Sequence, residues 1–351
     1  MNPIKHEPLN IKRPDQSLTA SLQDKIDQKT KPLGALGQLE KIALQVGLIQ
    51  QSLTPVLTRP VVMVFAGDHG VVVEGVSPFP QSVTQQMVMN FLAGGAAVNV
   101  FARQHQMQVK VVDAGVNHVF EPHPDLIDAK IGMGTRNFVE VEAMTSTQCA
   151  TALQQGARLV ESEMATGTNI LAFGEMGIGN TTAAAAIMAA LCALPPSECA
   201  GRGTGLDDAG VQHKIAVIEQ ALQRHASAQS PMDILASLGG FEIAMMTGAM
   251  LAAAEARSVL LIDGFIATVA LLVASRLQPE ILHYCIFSHC SDEAGHALLL
   301  KQLDAKPVLN LGMRLGEGTG AVMVYPLVQA AVNFMNEMAS FESAHVSGKV
   351  I

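Results

Sequence analysis

Six short apolar runs, each followed by a turn of small or polar residues and then by a longer helical stretch, most constrain how this chain can fold. Their content of β-branched residues predicts strands, and their continuous apolarity is typical of strands covered on both faces. The predicted strands are residues 61–65, 109–112, 170–173, 259–262, 284–287 and 307–311. The alternation predicts an α/β fold with an open, mostly parallel, Rossmann-like sheet and helices on both faces.

Acidic residues stand in the turns that follow these runs. Asp68, Asp113, Glu175 and Asp263 come close to predicted strand ends, and the turn after the last run leads to Glu317. The carboxyl ends of parallel strands form the rim where ligands bind, so we expect a site there. Asp and Gly also cap such turns for structural reasons, and we expect this explanation to cover Asp113 and Asp68.

Both ends of the chain read as helical, over residues 17–51 and 318–345, with a break where Pro32 and Gly34 interrupt the first pattern. We therefore predict a second, smaller lobe built from both termini. The predicted domains are a large α/β catalytic domain over residues 60–317 and a small helical lobe of residues 1–59 with 318–351.

The turn of residues 174–182 is rich in glycine, leaves a predicted strand and enters a helix that is expected to begin near Thr181. Free backbone N–H groups at such a helix start can hold a phosphate. The turn has no lysine after its glycines, so it is not a Walker A loop, and it lacks dinucleotide-fingerprint spacing. A tight turn closed by an Asn or Thr cap explains the same residues equally well.

A second glycine cluster, residues 201–208, ends in Asp207 and Asp208 and precedes a helix that carries Lys214. Paired aspartates can hold a metal pyrophosphate, but such pairs follow an apolar strand, so we interpret these two as charges at a helix N-terminus. Lys214 can reach a phosphate, although a single lysine usually belongs to a solvated face.

His289 and His296, with Cys290, Asp292 and Glu293 between them, suggest a zinc site. On one helix their seven-residue spacing corresponds to roughly 10 Å of rise, too far for one metal ion. We therefore predict no metal, and expect hydrogen-bonded rim or subunit-contact residues.

Glu317 lies between Gly316 and Gly318 in a glycine-rich loop. The carboxylate has no bulky immediate neighbours, so a ligand can approach it closely. Leu315 and Met313 can partly desolvate the carboxylate, which would raise its pKa and make it a better base. The structural alternative is a helix-capping residue.

The charge and composition argue against a nucleic-acid partner and favour a second copy of the chain. The net charge of −9, without a lysine- or arginine-rich run, argues against nucleic acid. Only 15% of the residues are charged, which favours an apolar surface paired in a homodimer. Five cysteines without a CxxC pair indicate a reduced, cytoplasmic protein. The first seven residues lack the core of a signal peptide, and no apolar stretch is suited to span a membrane.

Taken together, these motifs resemble the nicotinate-nucleotide–dimethylbenzimidazole phosphoribosyltransferases, which activate the lower axial base of cobalamin. The resemblance covers nearly the whole chain. It rests on residues 31–37, 66–71, 90–97, 174–182, 201–208, 238–243, 262–265 and 311–320. The first motif departs from the family pattern at Leu33, Ala35 and Gln38, where the family tends to have proline, serine and arginine; we expect this to alter the N-terminal lobe more than the chemistry.

The resemblance implies that 5-phosphoribosyl moves from nicotinate mononucleotide to 5,6-dimethylbenzimidazole, giving α-ribazole 5′-phosphate and nicotinate with inversion at the anomeric carbon. It implies no cofactor. It makes Glu317 the base that takes the azole proton, with Asp263 as a secondary base. The remaining implied site residues are Glu175, Gly177, Gly179, Asn180, Thr181, Gly203 and Lys214 for the phosphate and ribose, and Phe79, Gln86, Met176 and Leu315 for the incoming base.

Two other functions fit parts of the sequence. A Rossmann-type nucleotide-dependent enzyme would carry GxGxxG after the first strand, but the chain reads Ala-Gly-Asp-His-Gly there. A non-catalytic nucleotide- or base-binding protein would not need Glu317, Asp263 and Glu175 together. The preferred base stays open, since 18 methionines favour an adaptable slot.

Overall fold

The computed structural model describes residues 10–347, so the prediction that the first seven residues contain no signal peptide falls outside the described residues. One sheet of six strands dominates the structure, in the order β3-β2-β1-β4-β5-β6, and every neighbouring pair is parallel. The strands are β1 Val61–Gly67, β2 Gln108–Gly115, β3 Leu126–Asp128, β4 Ile170–Met176, β5 Val259–Ile262 and β6 Cys285–Phe287. The predicted α/β class and parallel sheet are confirmed.

The predicted strands agree with the observed ones at five places and differ at the last. Residues 307–311 form a single parallel bridge from Leu309 to His289, because this segment is half-exposed and only touches the end of β6. The sixth strand is instead β3 at the opposite edge. It has three residues and no fully buried side chain, so its sequence lacks the apolar run that marked the others.

Thirteen α-helices surround the sheet within residues 10–347. They are α1 Thr19–Asp27, α2 Gln38–Gln50, α3 Ser82–Leu92, α4 Ala97–Gln104, α5 Ser146–Ala165, α6 Asn180–Cys192, α7 Pro196–Cys199, α8 Asp208–Arg224, α9 Pro231–Leu238, α10 Phe241–Glu255, α11 Phe265–Leu277, α12 His296–Gln302 and α13 Thr319–Glu337. Two 3₁₀ segments, Gly70–Glu74 and Pro279–Tyr284, complete the secondary structure. No helix in the described part of the chain is long and apolar enough to cross a membrane.

The terminal helices contact each other, as α13 packs against α2. The predicted break near Pro32 separates α1 from α2, and a buried ion pair between Lys31 and Glu40 (Nζ to Oε1, 2.9 Å) fixes the connection. The prediction of a helix up to residue 345 was too long, because α13 ends at Glu337 and an antiparallel bridge between Lys29 and Ser340 follows. The division into two domains stays a prediction.

The core lies on both sides of the sheet. Every residue of β1 is buried, and both α10 and α13 contact β4 and β5. Helix α10 is buried all round and packs closely on α5, because Gly156 and Gly248 lie where any side chain would collide with the backbone of the facing helix. A helix buried on every side is uniformly apolar, which explains why α10 shows no amphipathic pattern in the sequence.

The strand order places a crevice at the carboxyl ends of β1 and β4. The chain runs outward from β1 to β2 and β3 on one side, and from β4 to β5 and β6 on the other. Connections that depart in opposite directions leave a gap between the loops at this switch point, where open α/β sheets bind ligands. Of the acidic residues predicted for this rim, Asp68 follows β1 and Glu175 is the last but one residue of β4.

Candidate active site

A cleft of about 650 Å³, counted out to its opening, lies beyond the carboxyl ends of β4, β5 and β6. It is lined by Glu175, Met176, Gly177, Ile178, Asn180, Thr181, Gly203, Thr204, Gly264, Phe265, Ile266, Ala267, Ser291, Glu293, Arg314, Leu315 and Gly316.

The glycine turn after β4 forms one wall of the cleft. Helix α6 begins at Asn180, and its N-cap is Gly179 with no side-chain capping bond. The alternative of an Asn or Thr cap is therefore wrong. The Asn180 amide instead donates to the Glu175 carboxylate, and the Thr181 hydroxyl accepts from Lys214. The Asn180 N–H donates to the Gly177 carbonyl at 3.1 Å and the Thr182 N–H to the Gly179 carbonyl at 3.0 Å, so the turn closes on the helix start without a side-chain cap. The positive end of the helix dipole faces the cleft wall, as at helix starts that bind anions.

Lys214 is buried, with 1% of its surface exposed, so the interpretation of a solvated lysine is wrong. Its Nζ donates to the Thr181 hydroxyl at 3.2 Å and to the Gly201 carbonyl at 3.1 Å, which joins the two glycine-rich loops. Burial lowers the pKa of Lys214 to about 8, against the charge of Glu293, which raises it. Asp207 caps α8 by accepting from the Gly210 N–H at 2.8 Å, which confirms its helix N-terminal role.

Glu317 lies in a loop whose backbone has positive φ at three successive residues, 82° at Gly316, 64° at Glu317 and 84° at Gly318. A non-glycine residue in this region is uncommon, although seven others in the described chain share it, among them Gln51 and Ala193 at helix C-caps. The loop also lies so close to β4 that a side chain at Gly174 would collide with the backbone of Glu317. The sheet and the flanking glycines therefore fix the position of this carboxylate.

The Glu317 side chain is only 5% exposed, and its Oε2 has no hydrogen-bond partner. Burial, together with the charge of Asp263, raises the pKa of Glu317 to about 7, while the Val98 N–H acts in the opposite direction. Helix α13 has Gly318 as its N-cap without a side-chain capping bond, so the capping alternative for Glu317 is wrong. The carboxylate can accept a proton near neutral pH.

Asp263, after β5, caps the start of α13, which is the role that the structural alternative gave to Glu317. Its Oδ2 accepts from the Gly318 N–H at 3.2 Å and its Oδ1 from the Ala321 N–H at 3.0 Å. The His289 Nε2 lies 3.7 Å from Oδ1. Burial raises the pKa of Asp263, whereas His289 and the α13 amides oppose that rise.

Glu175, at the end of β4, is 6% exposed and faces the cleft. Burial is the main cause that raises the pKa of Glu175 to about 8, and the charges of Asp263, Glu242 and Glu317 add to it. The hydrogen bond from Asn180 lowers the pKa. At neutral pH this carboxyl is therefore mostly protonated and able to donate a hydrogen bond.

A buried pair of a histidine and a glutamate lies near this wall. His69 Nε2 and Glu242 Oε1 are 2.6 Å apart, and both side chains are fully buried. Asp68 accepts from the Asn117 N–H at 2.8 Å, and Asp113 accepts from the Val116 N–H at 2.9 Å and pairs with Lys130. The expectation of a turn cap is thus confirmed for Asp113, which accepts from its own turn. Asp68 instead accepts from the loop after β2, 49 residues along the chain.

The cleft brings together seven of the predicted site residues: Glu175, Met176, Gly177, Asn180, Thr181, Gly203 and Leu315. Gly179 and Lys214 contact residues of its wall, and Glu317 and Asp263 lie behind that wall. Phe79 and Gln86 are exposed and do not line it.

Phe265, Ser291 and Arg314 were not among the predicted site residues but also line the cleft. Glu293 lines it as well, and was expected from the sequence only as a hydrogen-bonded rim or subunit-contact residue. Each stands a few residues beyond a predicted strand end.

His289 and His296 do not share a helix, so the prediction of a seven-residue helical spacing between them was wrong. His296 begins α12 while His289 precedes it, and their ring centroids are 6.3 Å apart. His296 Nδ1 accepts from the Ser291 N–H and its Nε2 pairs with the Thr268 hydroxyl, which confirms a hydrogen-bonded residue. Within residues 10–347, no group of three or more His, Cys, Asp or Glu side chains is placed to hold a metal ion.

Comparison with known proteins gives a consistent result. The sequence model of a family described as phosphoribosyltransferase matches residues 11–346. A nicotinate-nucleotide–dimethylbenzimidazole phosphoribosyltransferase of Dechloromonas aromatica is 59% identical over 342 residues, 97% of this chain and 98% of that protein. The protein of the same name from Parabacteroides distasonis is 50% identical over 96% of this chain and 98% of its own length.

Solved structures agree with the sequence relatives. The crystal structure of CobT from Thermus thermophilus is 42% identical, has a TM-score of 0.92, and covers 95% of this chain and 99% of that one. The model match over nearly the whole chain and relatives at 50–59% identity both exceed what a shared fold alone would give. The chain belongs to the family of nicotinate-nucleotide–dimethylbenzimidazole phosphoribosyltransferases.

Proposed function

We propose that this enzyme moves 5-phosphoribosyl from nicotinate mononucleotide to 5,6-dimethylbenzimidazole, in cobalamin biosynthesis, giving α-ribazole 5′-phosphate and nicotinate. The names of its near full-length relatives support the substrates. One structural observation carries the chemistry: Glu317 is a buried carboxylate next to the cleft residue Gly316, its Oε2 has no hydrogen-bond partner within residues 10–347, and its pKa is raised to about 7.

The reaction needs one base and no acid. The bond from the anomeric carbon to the pyridinium nitrogen breaks with its electron pair on nitrogen, so nicotinate leaves with a neutral ring nitrogen. One azole nitrogen forms the new bond, and the proton on the other nitrogen must be removed. We assign that proton to Glu317, whose raised pKa suits proton transfer near neutral pH.

We further propose that attack occurs opposite the leaving group, so that the β-nucleotide gives an α-riboside. Two flat rings on opposite faces of one ribose require that the ribose phosphate be held still. The N–H groups at the start of α6, with Gly177, Gly179, Asn180 and Thr181, support a phosphate site there. Gly203 and the buried ammonium of Lys214 complete the proposed phosphate site, since both adjoin Thr181.

Glu175 is the proposed ribose ligand. Its carboxyl faces the cleft and is held by Asn180, so it can exchange hydrogen bonds with ribose hydroxyls. Asp263 stays behind the wall, where its backbone bonds and His289 favour a supporting role beside the secondary-base role inferred from the family.

For the azole we propose a slot that includes Met176 and Leu315, which line the cleft. Phe79 and Gln86 remain proposed members of this slot, although both are exposed in the single chain. A homodimer is proposed as well, on the basis of exposed apolar side chains that include Leu33 and Val73. Five unpaired cysteines support a cytoplasmic location.

The experiment mixes the full-length protein with nicotinate mononucleotide and dimethylbenzimidazole and measures nicotinate release by chromatography. We expect release that depends on the base, and a product whose anomeric proton has the α configuration by NMR. Binding of both ligands without any release would establish the non-catalytic alternative, and a β product would overturn inversion.

A further inference from the structure

Glu293 is an acidic residue of the cleft that the proposed reaction does not use. It lies between β6 and α12 and is buried, yet it lines the cleft. Both of its carboxylate oxygens lie 3.2 Å from the Gly203 backbone nitrogen, whose N–H they accept. Gly203 belongs to the proposed phosphate site, so a protein anion already occupies an amide that the substrate phosphate would use.

The groups around this carboxylate are those that recognise phosphate. Lys214 adjoins Gly203 and is held by Thr181 and the Gly201 carbonyl. Arg314, from the Glu317 loop, donates its Nη1 to the Gly203 carbonyl at 2.9 Å. An amide N–H, an ammonium and a guanidinium converge on this loop, and each is a usual phosphate donor.

The shape of the loop keeps the carboxylate in place. A side chain at Gly201 would collide with Glu293 Oε1, so glycine there makes room for it. The Glu293 charge also raises the pKa of Lys214, whose ammonium would otherwise be buried without a counter-charge. Leaving such a cation unpaired is costly, which gives a physical reason for a carboxylate beside it.

We propose that Glu293 is the resident counter-anion of the phosphate site and that the 5′-phosphate of the donor displaces it. This inference rests on the proposed function for the identity of the phosphate ligands. A phosphate monoester carries about −1.5 to −2 charges at pH 7 and outcompetes one carboxylate. An uncharged 5′-hydroxyl cannot do so, so Glu293 selects phosphorylated donors by excluding nucleosides.

The test measures the dissociation constant of inorganic phosphate by calorimetry at pH 6.5, below the Lys214 pKa of about 8. The full-length wild type is compared with Glu293→Gln, which keeps the size and one acceptor oxygen and removes the charge. Asp292→Asn is the matched control, because it removes an exposed charge one residue away. We expect Glu293→Gln to bind phosphate about tenfold more tightly, because a like charge has been removed, and the control to match the wild type.

Phosphate binding that is unchanged or weaker in Glu293→Gln would overturn the inference and leave Glu293 as a loop-ordering residue. If that variant does not fold, Glu293→Asp is measured instead. The aspartate is one methylene shorter, so its charge lies further from the Gly203 N–H, and phosphate should again bind more tightly than to the wild type. A crystal of the wild type with phosphate gives an independent answer: the Glu293 carboxylate should have left the Gly203 N–H, and its persistence there beside bound phosphate would refute displacement.

These results are separable from the proposed function. Nicotinate release by the wild type tests the reaction without reference to Glu293. If release is seen and the phosphate measurements fail, only the inference about Glu293 is lost.

Discussion

Two buried glutamates of this enzyme stand beside glycines and beside the start of a helix, yet their surroundings differ. Glu242 follows Gly240 in the first turn of α10, and Glu317 lies between two glycines just before α13. Glu242 pairs with the His69 ring at 2.6 Å, whereas burial and acidic neighbours dominate around Glu317. Burial alone therefore does not make a base. A buried carboxylate with a basic partner stabilises structure, and one without such a partner is available for proton transfer.

The largest expected effect concerns turnover. Replacing Glu317 with Gln should lower kcat about 10²–10⁴-fold, because general-base catalysis typically contributes that much. Nucleotide affinity should change little, since the lost group acts on the azole. Steady-state kinetics with both substrates varied, alongside isothermal binding of nicotinate mononucleotide, separate the two quantities. The exposed Glu342→Gln serves as the control. Equal losses of rate and affinity would contradict a base and indicate a binding residue.

The second effect concerns stability, and the two glutamates should respond in opposite ways. Glu242→Gln should lower the free energy of unfolding by about 1.5–3 kcal/mol, because a hydrogen bond to a charged group is weakened inside the core. Urea denaturation at pH 8 measures this change.

Glu317→Gln should be no less stable than the wild type in the same experiment. Its folded pKa of about 7 lies above the ordinary glutamate pKa of 4.5, so its carboxylate destabilises the fold progressively as the pH rises through that interval. The amide lacks this penalty. If Glu317→Gln were destabilised and Glu242→Gln were not, Glu317 would be the structural residue of the two, which would contradict the roles given to them above.

A third effect separates backbone strain from crowding in the Glu317 loop. Gly316 and Gly312 both have positive φ, but a side chain at 316 would collide with Glu175 while one at 312 would meet open space. Changing either to Ala should destabilise by about 1–2 kcal/mol through the left-handed backbone. Only Gly316→Ala should also lower kcat, by about tenfold, because it displaces Glu175 and the base. Equal kcat in both variants would mean that this contact has no part in catalysis.

The smallest effect is a shift in the pH profile. In the wild type, kcat/KM should rise with pH through about 7 as Glu317 loses its proton, and fall above about 8 as Lys214 loses the charge that holds phosphate. The charge of Asp263 raises the pKa of Glu317, so Asp263→Asn should move the acidic limb to lower pH. The basic limb should stay in place. An acidic limb that does not move would show that Asp263 has no electrostatic influence on the base.

The sequence predicted much of the fold because buried strands can be recognised from their apolar residues. Strands β1, β4 and β5 are continuous apolar runs, covered on both faces, and both their positions and their parallel pairing were predicted. The prediction of the edge strand was wrong because that strand lacks such an apolar run. Strand β3 is short and half-buried, and the more apolar segment at residues 307–311 was chosen in its place. Apolarity reports burial, and edge strands have little of it.

Within the site, the sequence predicted residues that stand in glycine-rich turns. Gly177, Asn180 and Glu317 were found because flanking glycines mark a close approach of the backbone to something. Glu293 and Arg314 carry no such mark. Their importance comes from Gly203, which is about 90 residues from one and more than 100 from the other along the chain, and which both contact.

The sequence by itself determined the α/β class, the rim that carries the site and the choice of Glu317, because these depend on local apolarity and on glycine turns. The tertiary structure decided which acidic residue has which environment. Asp263 caps α13, Glu242 pairs with His69, Glu293 accepts from the Gly203 N–H, and the Glu317 Oε2 has no hydrogen-bond partner among the residues that the structure describes. A carboxylate's pKa and partners depend on groups that are distant in the chain and brought within a few ångströms by folding, so the sequence cannot rank these residues without the fold.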